Sequence, residues 1–301
     1  MVGAAPQDDK RKLRWLARGI AIALVLVPLT ANSEDKARGE TWLSRIYIDG
    51  QIDTNGRASG SLETIQPVLM TALDTFFMQA RAAYSDEDWT INAGLGYRYL
   101  TPDKSLLLGV NAWHDWKLEN DHRRWGVGAE AIGKVLTLRG NYYGAYTGWR
   151  LIEDTPLIRI DERALSGLDA EIESQLPYMP WARLAAGVYH WDAQASDDVT
   201  GFSGRLKLDL TSSIRFESGL LAHKDETQGY FKVGIALGAP REVRYSLAET
   251  GFASSHAFDA RDLSDMRLAR VERNHTVVVE RRTTQKPTGA TSGGVVFARG
   301  T

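Results

Sequence analysis

The sequence predicts an all-β fold, a transmembrane antiparallel β-barrel of about twelve strands behind an N-terminal signal peptide. Three observations point there. Segments of about 10 to 12 residues alternate apolar with polar side chains, no segment after the N-terminus is apolar for long enough to make a spanning helix, and aromatic residues gather near segment ends.

The elements follow in chain order. Lys10, Arg11, Lys12, Arg14 and Arg18 precede an apolar run at 19–29 that closes with the small residues Thr30 and Ala31. This is a secretory pattern, and about 11 apolar residues are too few for the roughly 20 of a spanning helix. Residues 1–31 are therefore expected to be a signal peptide, and 32–41 a short periplasmic segment. From Trp89, the set Trp89, Ile91, Ala93, Leu95, Tyr97 and Tyr99 alternates with Thr90, Asn92, Gly94, Gly96 and Arg98. Only a strand collects every second residue on one face. The pattern recurs, so that strands are expected near 43–53, 60–71, 73–84, 88–99, 105–116, 124–133, 135–147, 166–176, 182–192, 200–210, 212–223 and 227–238, with Pro67 interrupting the second. Residues 148–165, charged and containing Pro156, are expected to be a long external loop. Tyr97, Tyr99, Trp113, Trp116, Trp125, Trp149, Trp181, Tyr189 and Trp191 are expected in interfacial girdles. A soluble lipocalin-like cup or β-sandwich also alternates, and alternation does not say which face is inside. Signal peptide, uniform strand length, even strand count and end-loaded aromatics together favour the membrane form.

Composition removes other classes. The chain has no cysteine, which excludes thiolate metal sites, a catalytic thiol and disulfides, and its formal net charge of -2 gives no basic footprint for nucleic acid. The six histidines, His114, His122, His190, His223, His256 and His275, show no metal-ligand spacing, so neither metal nor cofactor is expected. His114 beside Asp115 is the one pair that invites a catalytic reading, and a structural role at a strand end is preferred; the chain is not expected to be an enzyme.

Several motifs in order carry a resemblance. They are Gly94-Leu95-Gly96-Tyr97-Arg98-Tyr99, Leu107-Leu108-Gly109-Val110-Asn111-Ala112-Trp113-His114-Asp115, Gly126-Val127-Gly128-Ala129-Glu130, Gly140-Asn141-Tyr142-Tyr143 and Gly148-Trp149-Arg150. Asp161-Glu162-Arg163, Gly167-Leu168-Asp169, Leu176-Pro177 and the stretch from Val271 to Glu280 extend it. Together, over roughly residues 42–282, they resemble the β-domain of the intimin and invasin family of inverse autotransporters. The resemblance implies a barrel over 42–238 with its N-terminus in the periplasm, a linker over 239–282 that returns through the pore, and a C-terminal passenger at the cell surface that mediates adhesion. It also implies outer-membrane lipid, the barrel-assembly machinery and periplasmic chaperones as partners, with any host-cell receptor met only by a passenger. The family's peptidoglycan-binding module has no counterpart in 32–41, and 283–301, rich in Gly and Thr, are expected to be a flexible tail, with the passenger truncated or absent. The alternative function is a passenger-less barrel acting as a channel or structural surface protein.

Strand parity puts Arg98, Glu130, Arg139, Asp169, Glu171, Glu173, Arg183, Arg205, Lys207, Asp209, Arg215, Glu217 and Lys232 toward the lumen. Linker charges at Arg261, Asp262, Asp265, Arg267, Arg270 and Glu272 could pair with them and plug the pore; a solvated polar lumen without specific partners is the competing expectation. Ala260, Leu263, Met266 and Ala269, three apart, suggest one short helix over 260–271 inside the barrel.

Overall fold

The computed structural model describes residues 42–85, 88–224, 226–286 and 290–296; the expected signal peptide and segment 32–41 lie outside the described residues. After a short 3-10 turn, seven strands run in succession: β1 (Ile46–Asp53), β2 (Ala58–Met70), β3 (Asp74–Ser85), β4 (Asp88–Leu100), β5 (Leu106–Lys117), β6 (His122–Gly133) and β7 (Leu136–Ala145). Two shorter strands, β8 (Arg150–Asp154) and β9 (Ile158–Ala164), then leave the wall. The wall resumes with β10 (Ser166–Leu176), β11 (Met179–Asp192), β12 (Val199–Asp209), β13 (Ile214–His223) and β14 (Glu226–Ala236). Late in the chain come β15 (Val279–Gln285) and β16 (Thr291–Val296).

β1 to β7 and β10 to β14 form a closed antiparallel barrel, sealed where β1 meets β14 from Tyr47 opposite Ala236 to Asp53 opposite Tyr230. Closure leaves no unpaired edge in the wall, the condition for a sheet to cross a membrane. The strands coincide with the expected segments to within a few residues, and Pro67 sits at a register shift between β2 and β3, the kind of place a sheet tolerates proline.

Polarity is settled by which parity is exposed. Along β5, Leu108, Val110, Ala112 and His114 are exposed while Gly109, Asn111, Trp113 and Asp115 are buried. On β10, Leu168, Ala170 and Ile172 are exposed and Glu173 and Gln175 are buried. The apolar face points outward and the charged face inward, the arrangement of a barrel whose outer solvent is lipid. Among the described residues no helix is long and apolar enough to cross a membrane.

Four expectations are corrected. Four of the nine aromatics expected in girdles, Trp113, Trp181, Tyr189 and Trp191, are buried, because they share parity with inward polar residues, whereas Tyr97, Tyr99, Trp116 and Trp125 lie on the outward parity. The 148–165 loop contains the β8–β9 hairpin, whose turn is held by Thr155 Oγ1 accepting from the Leu157 and Ile158 N–H groups around Pro156. The tail expected to be flexible from 283 continues as β15 to Gln285 and returns as β16, because the edge of β9 supplies backbone partners to Thr283 and Thr284. The helix expected over 260–271 is only a 3-10 turn at Asp265–Leu268, for reasons that lie in the pore.

The outward face yields a direct test. Leu95 is 63% exposed near the middle of β4. Leu95→Lys is expected to cost about 2 to 4 kcal/mol of folding stability in lipid vesicles, measured by reversible denaturant unfolding.

Candidate functional site

The interior of the barrel is occupied by the chain's own linker. From Leu237, at the end where β1 begins, the chain passes the α1 turn (Leu247–Thr250) and returns to the pore near Arg261, which donates to the Gly133 carbonyl and Thr137 Oγ1. Arg267 donates to the carbonyls of Thr71 and Asp74 at that same end. Val278 accepts from the Leu165 N–H at the opposite end, 2.9 Å away. About twelve extended residues at about 3.3 Å each cover about 40 Å, enough for a hydrocarbon core of about 30 Å.

Among the described residues, three buried apolar clusters join wall to linker. Leu268 and Val271 pack with Tyr47, Ile65, Phe77 and Trp113. Leu263, Met266 and Ala269 pack with Leu100, Leu107 and Ile132. Val278 packs with Tyr143, Tyr189 and Trp191. The linker is therefore the core that a barrel of this size would otherwise lack.

The missing helix has its cause here. A helix satisfies its own backbone, but along this segment the wall does so. Arg98 Nη1 donates to the carbonyls of Met266, Arg267 and Ala269, at 3.4, 3.1 and 2.6 Å. Gln79 brackets Val271, its Oε1 accepting from the Val271 N–H at 2.9 Å. Asn92 Nδ2 donates to the His275 carbonyl at 2.8 Å, and the Asn274 N–H donates to Tyr143 Oη at 2.8 Å.

The thirteen charged residues assigned to the lumen from parity all sit on the inner face, and they join one another. Arg98 Nε lies 2.6 Å from Glu130 Oε1. Arg183 lies 2.6 Å from Asp209, which Arg215 also contacts at 2.5 Å. Lys232 is 3.3 Å from Glu217. Asp169 accepts from Asn141 and Tyr143. Arg139 and Arg205 bracket Glu171 at 2.6 and 2.5 Å, and Lys207 is 2.6 Å from Glu173. Into this last group the linker inserts Glu272, whose Oε2 contacts Arg139 at 3.3 Å, Arg205 at 2.8 Å and Lys207. One carboxylate from the linker thus meets three cations of the wall. Glu171, Glu173 and Glu272 lie close enough to share a cation, but those same three side chains already neutralise them.

Four inner partners escaped the parity assignment. Arg270 of the linker pairs with Asp49 at 2.8 Å and Glu63 at 3.1 Å, and its guanidinium lies 4.2 Å from the centre of the Tyr47 ring. Arg273 makes a two-pronged contact with Asp115 at 2.7 and 2.8 Å, and Arg124 reaches Asp115 from the wall at 2.9 Å. The signal was available: Asp115 shares parity with Asn111 and Trp113. Asp262, in contrast, bonds locally to the Ser264 N–H. Glycine makes room for these groups; a Cβ at Gly126 would lie 2.7 Å from Arg273 Nη2.

The His114–Asp115 pair does not exist as a site. Being consecutive in a strand, the two residues point to opposite faces: His114 is exposed against Tyr146 Oη at 2.6 Å, and Asp115 is fully buried.

The chain has relatives among known proteins. The family model for the β-domain of inverse autotransporters matches residues 29–275. The chain belongs to the inverse autotransporter β-domain family. A putative attaching and effacing protein homolog of Escherichia coli (strain K12) is 31% identical over 67% of this chain and 64% of its own length. The inverse autotransporter adhesin YeeJ of the same organism is 28% identical over 84% of this chain, and intimin of Escherichia coli O111:H- is 27% identical over 54%. The matches span 11% of the adhesin and 17% of intimin, so this chain corresponds to a minor part of those relatives. A solved chain from work on in-meso crystallization of membrane proteins superposes with a TM-score of 0.64 at 19% identity, over 79% of this chain and 99% of that one, which shows a shared fold. Membership makes this inverse autotransporter domain an outer-membrane barrel of a family of adhesin anchors.

Removing one half of a buried ion pair exposes its worth. Arg273→Ala leaves Asp115 with Arg124 as its one cation and Asn92 as a neutral donor, and is expected to cost on the order of 1.5 to 3 kcal/mol, read as a lower temperature at which the folded band is lost on unheated gels.

Proposed function

We propose that this inverse autotransporter domain is the outer-membrane anchor and translocator for a C-terminal segment of its own chain. The N-terminus lies in the periplasm, the hairpins with longer connections and β15 and β16 lie at the cell surface, and a passenger continuing the chain would carry adhesion. The observation that carries this reading is the path of 261–278, which enters at the end where β1 begins and leaves at the other, filling the interior on the way. A segment so enclosed cannot be threaded afterwards through a finished wall by side-chain rearrangement alone, so passage and filling belong to one process in which the barrel closes around a hairpin of its own chain. The process requires no covalent chemistry, no cofactor and no metal. Its partners are outer-membrane lipid, the barrel-assembly machinery and periplasmic chaperones; a host receptor would be met by a passenger.

The channel reading has less support, since Glu272, Arg270 and Arg273 occupy the route that ions would take. An epitope tag after Thr301, probed on intact cells of a Gram-negative host with a periplasmic integrity control, is expected to be labelled. Labelling only after permeabilisation would mean a periplasmic tail and would remove the translocator reading.

A further inference from the structure

At the pore mouth the order β16-β15-β9-β8 makes a small sheet, half from the barrel's own connection and half from the segment that has passed the pore. Two features of it exceed what strand pairing requires. First, Glu280 of β15 is fully buried, and its carboxylate accepts from the backbone N–H groups of Gln194, Ala195 and Ser196 and from Ser196 Oγ, at 2.8 to 3.3 Å. Successive N–H groups converging on one carboxylate form an anion-holding nest, here in the connection between β11 and β12.

Second, the charges of β9 and β15 admit one alignment. Glu280 faces Arg163, Arg281 faces Glu162 and Arg282 faces Asp161; Arg281 Nε is 2.7 Å from Glu162 and Arg282 Nη2 is 3.2 Å from Asp161. Sliding β15 by one residue would set Arg281 opposite Arg163 in one direction, or Glu280 opposite Glu162 in the other. Sliding by two would set Arg282 opposite Arg163, or Glu280 opposite Asp161. Each slip creates a like-charge cross-strand pair, and a one-residue slip also turns Glu280 away from its nest. Burial pushes the Glu162 carboxyl up, but the hydrogen bond from His122, the Lys117 charge and the hydrogen bonds from Arg281 and Asn120 hold it at about 2, so it stays charged at the pH of any ordinary surface.

We propose that the β8–β9 hairpin and the 193–198 connection form a capture site for residues 279–285 of the same chain, which sets where the exported segment stops. This rests on the translocator reading. Until residue 280 emerges, the nest and the edge of β9 lack their partners; once it emerges, the ion pairs and the carboxylate close together and oppose sliding back.

The absence of cysteine allows a direct test. Ile160 and Thr283 are directly opposite, within disulfide reach for an antiparallel pair. In cells making the full chain with Ile160→Cys and Thr283→Cys, the crosslink is expected to form. It is expected to fall about tenfold, equivalent to about 1.4 kcal/mol, when Glu280→Ala or Arg282→Glu is added, and to return when Asp161→Arg accompanies Arg282→Glu. Both changes lie outside the wall, and the gel shift of the folded barrel checks that it is intact. Undiminished crosslinking in either variant, or no return with Asp161→Arg, would overturn the capture site. A crosslinked chain whose tail is unlabelled on intact cells would instead overturn the export reading on its own.

Discussion

The structure depends on one constraint: a small barrel with a charged interior must have those charges answered, and pairs within the wall and the linker answer them together. Arg139, Arg205 and Lys207 surround Glu272, while Asp49, Glu63 and Asp115 receive Arg270 and Arg273. Charges taken from water cost several kcal/mol each unless paired with good geometry, so the wall and the linker are stable in this form only together. The same reasoning explains why the segment is extended. Arg98, Gln79 and Asn92 supply the hydrogen bonds that a helix would have made within itself, and an extended chain presents Arg270, Glu272 and Arg273 to different sectors of the wall.

Buried ion pairs are weak contributors to stability compared with apolar packing of the same shape, and their value lies in specificity. Here that specificity has a direction along the chain. The apolar contacts of Leu263, Met266, Leu268, Val271 and Val278 supply burial that shifts little with a small displacement, whereas the ion pairs recognise one alignment of linker and wall. The pairs of β9 and β15 repeat the principle at the mouth, where two strands from distant parts of the chain meet in one register.

Much of this was legible in the sequence. A period of two is a local property, so the strands and the parity of Arg98, Lys207 and Glu217 could be read from neighbours alone. What sequence could not supply was sign and partner. Trp113 and Trp191 look like girdle residues by position and face inward by parity, and His114 looks like a partner of Asp115 until the strand separates them. The linker misled for a related reason: Leu263, Met266 and Ala269 fit a helical stripe, but they are buried against Leu100, Leu107 and Ile132 of the wall by a segment whose backbone bonds the wall supplies, so spacing alone did not make a helix. Thr283 and Thr284 in the expected flexible tail became a strand because a partner edge far upstream, at Ile160 and Arg159, was waiting in β9.

The central claim, that the linker fills and closes the pore through Glu272, is tested most directly by the conductance of the intact chain in a planar lipid bilayer. The account requires a closed barrel, and steady ion flow when Glu272→Lys sets a fourth cation against Arg139, Arg205 and Lys207. An intact chain that conducts steadily, with a conductance that Glu272→Lys leaves unchanged, would contradict it.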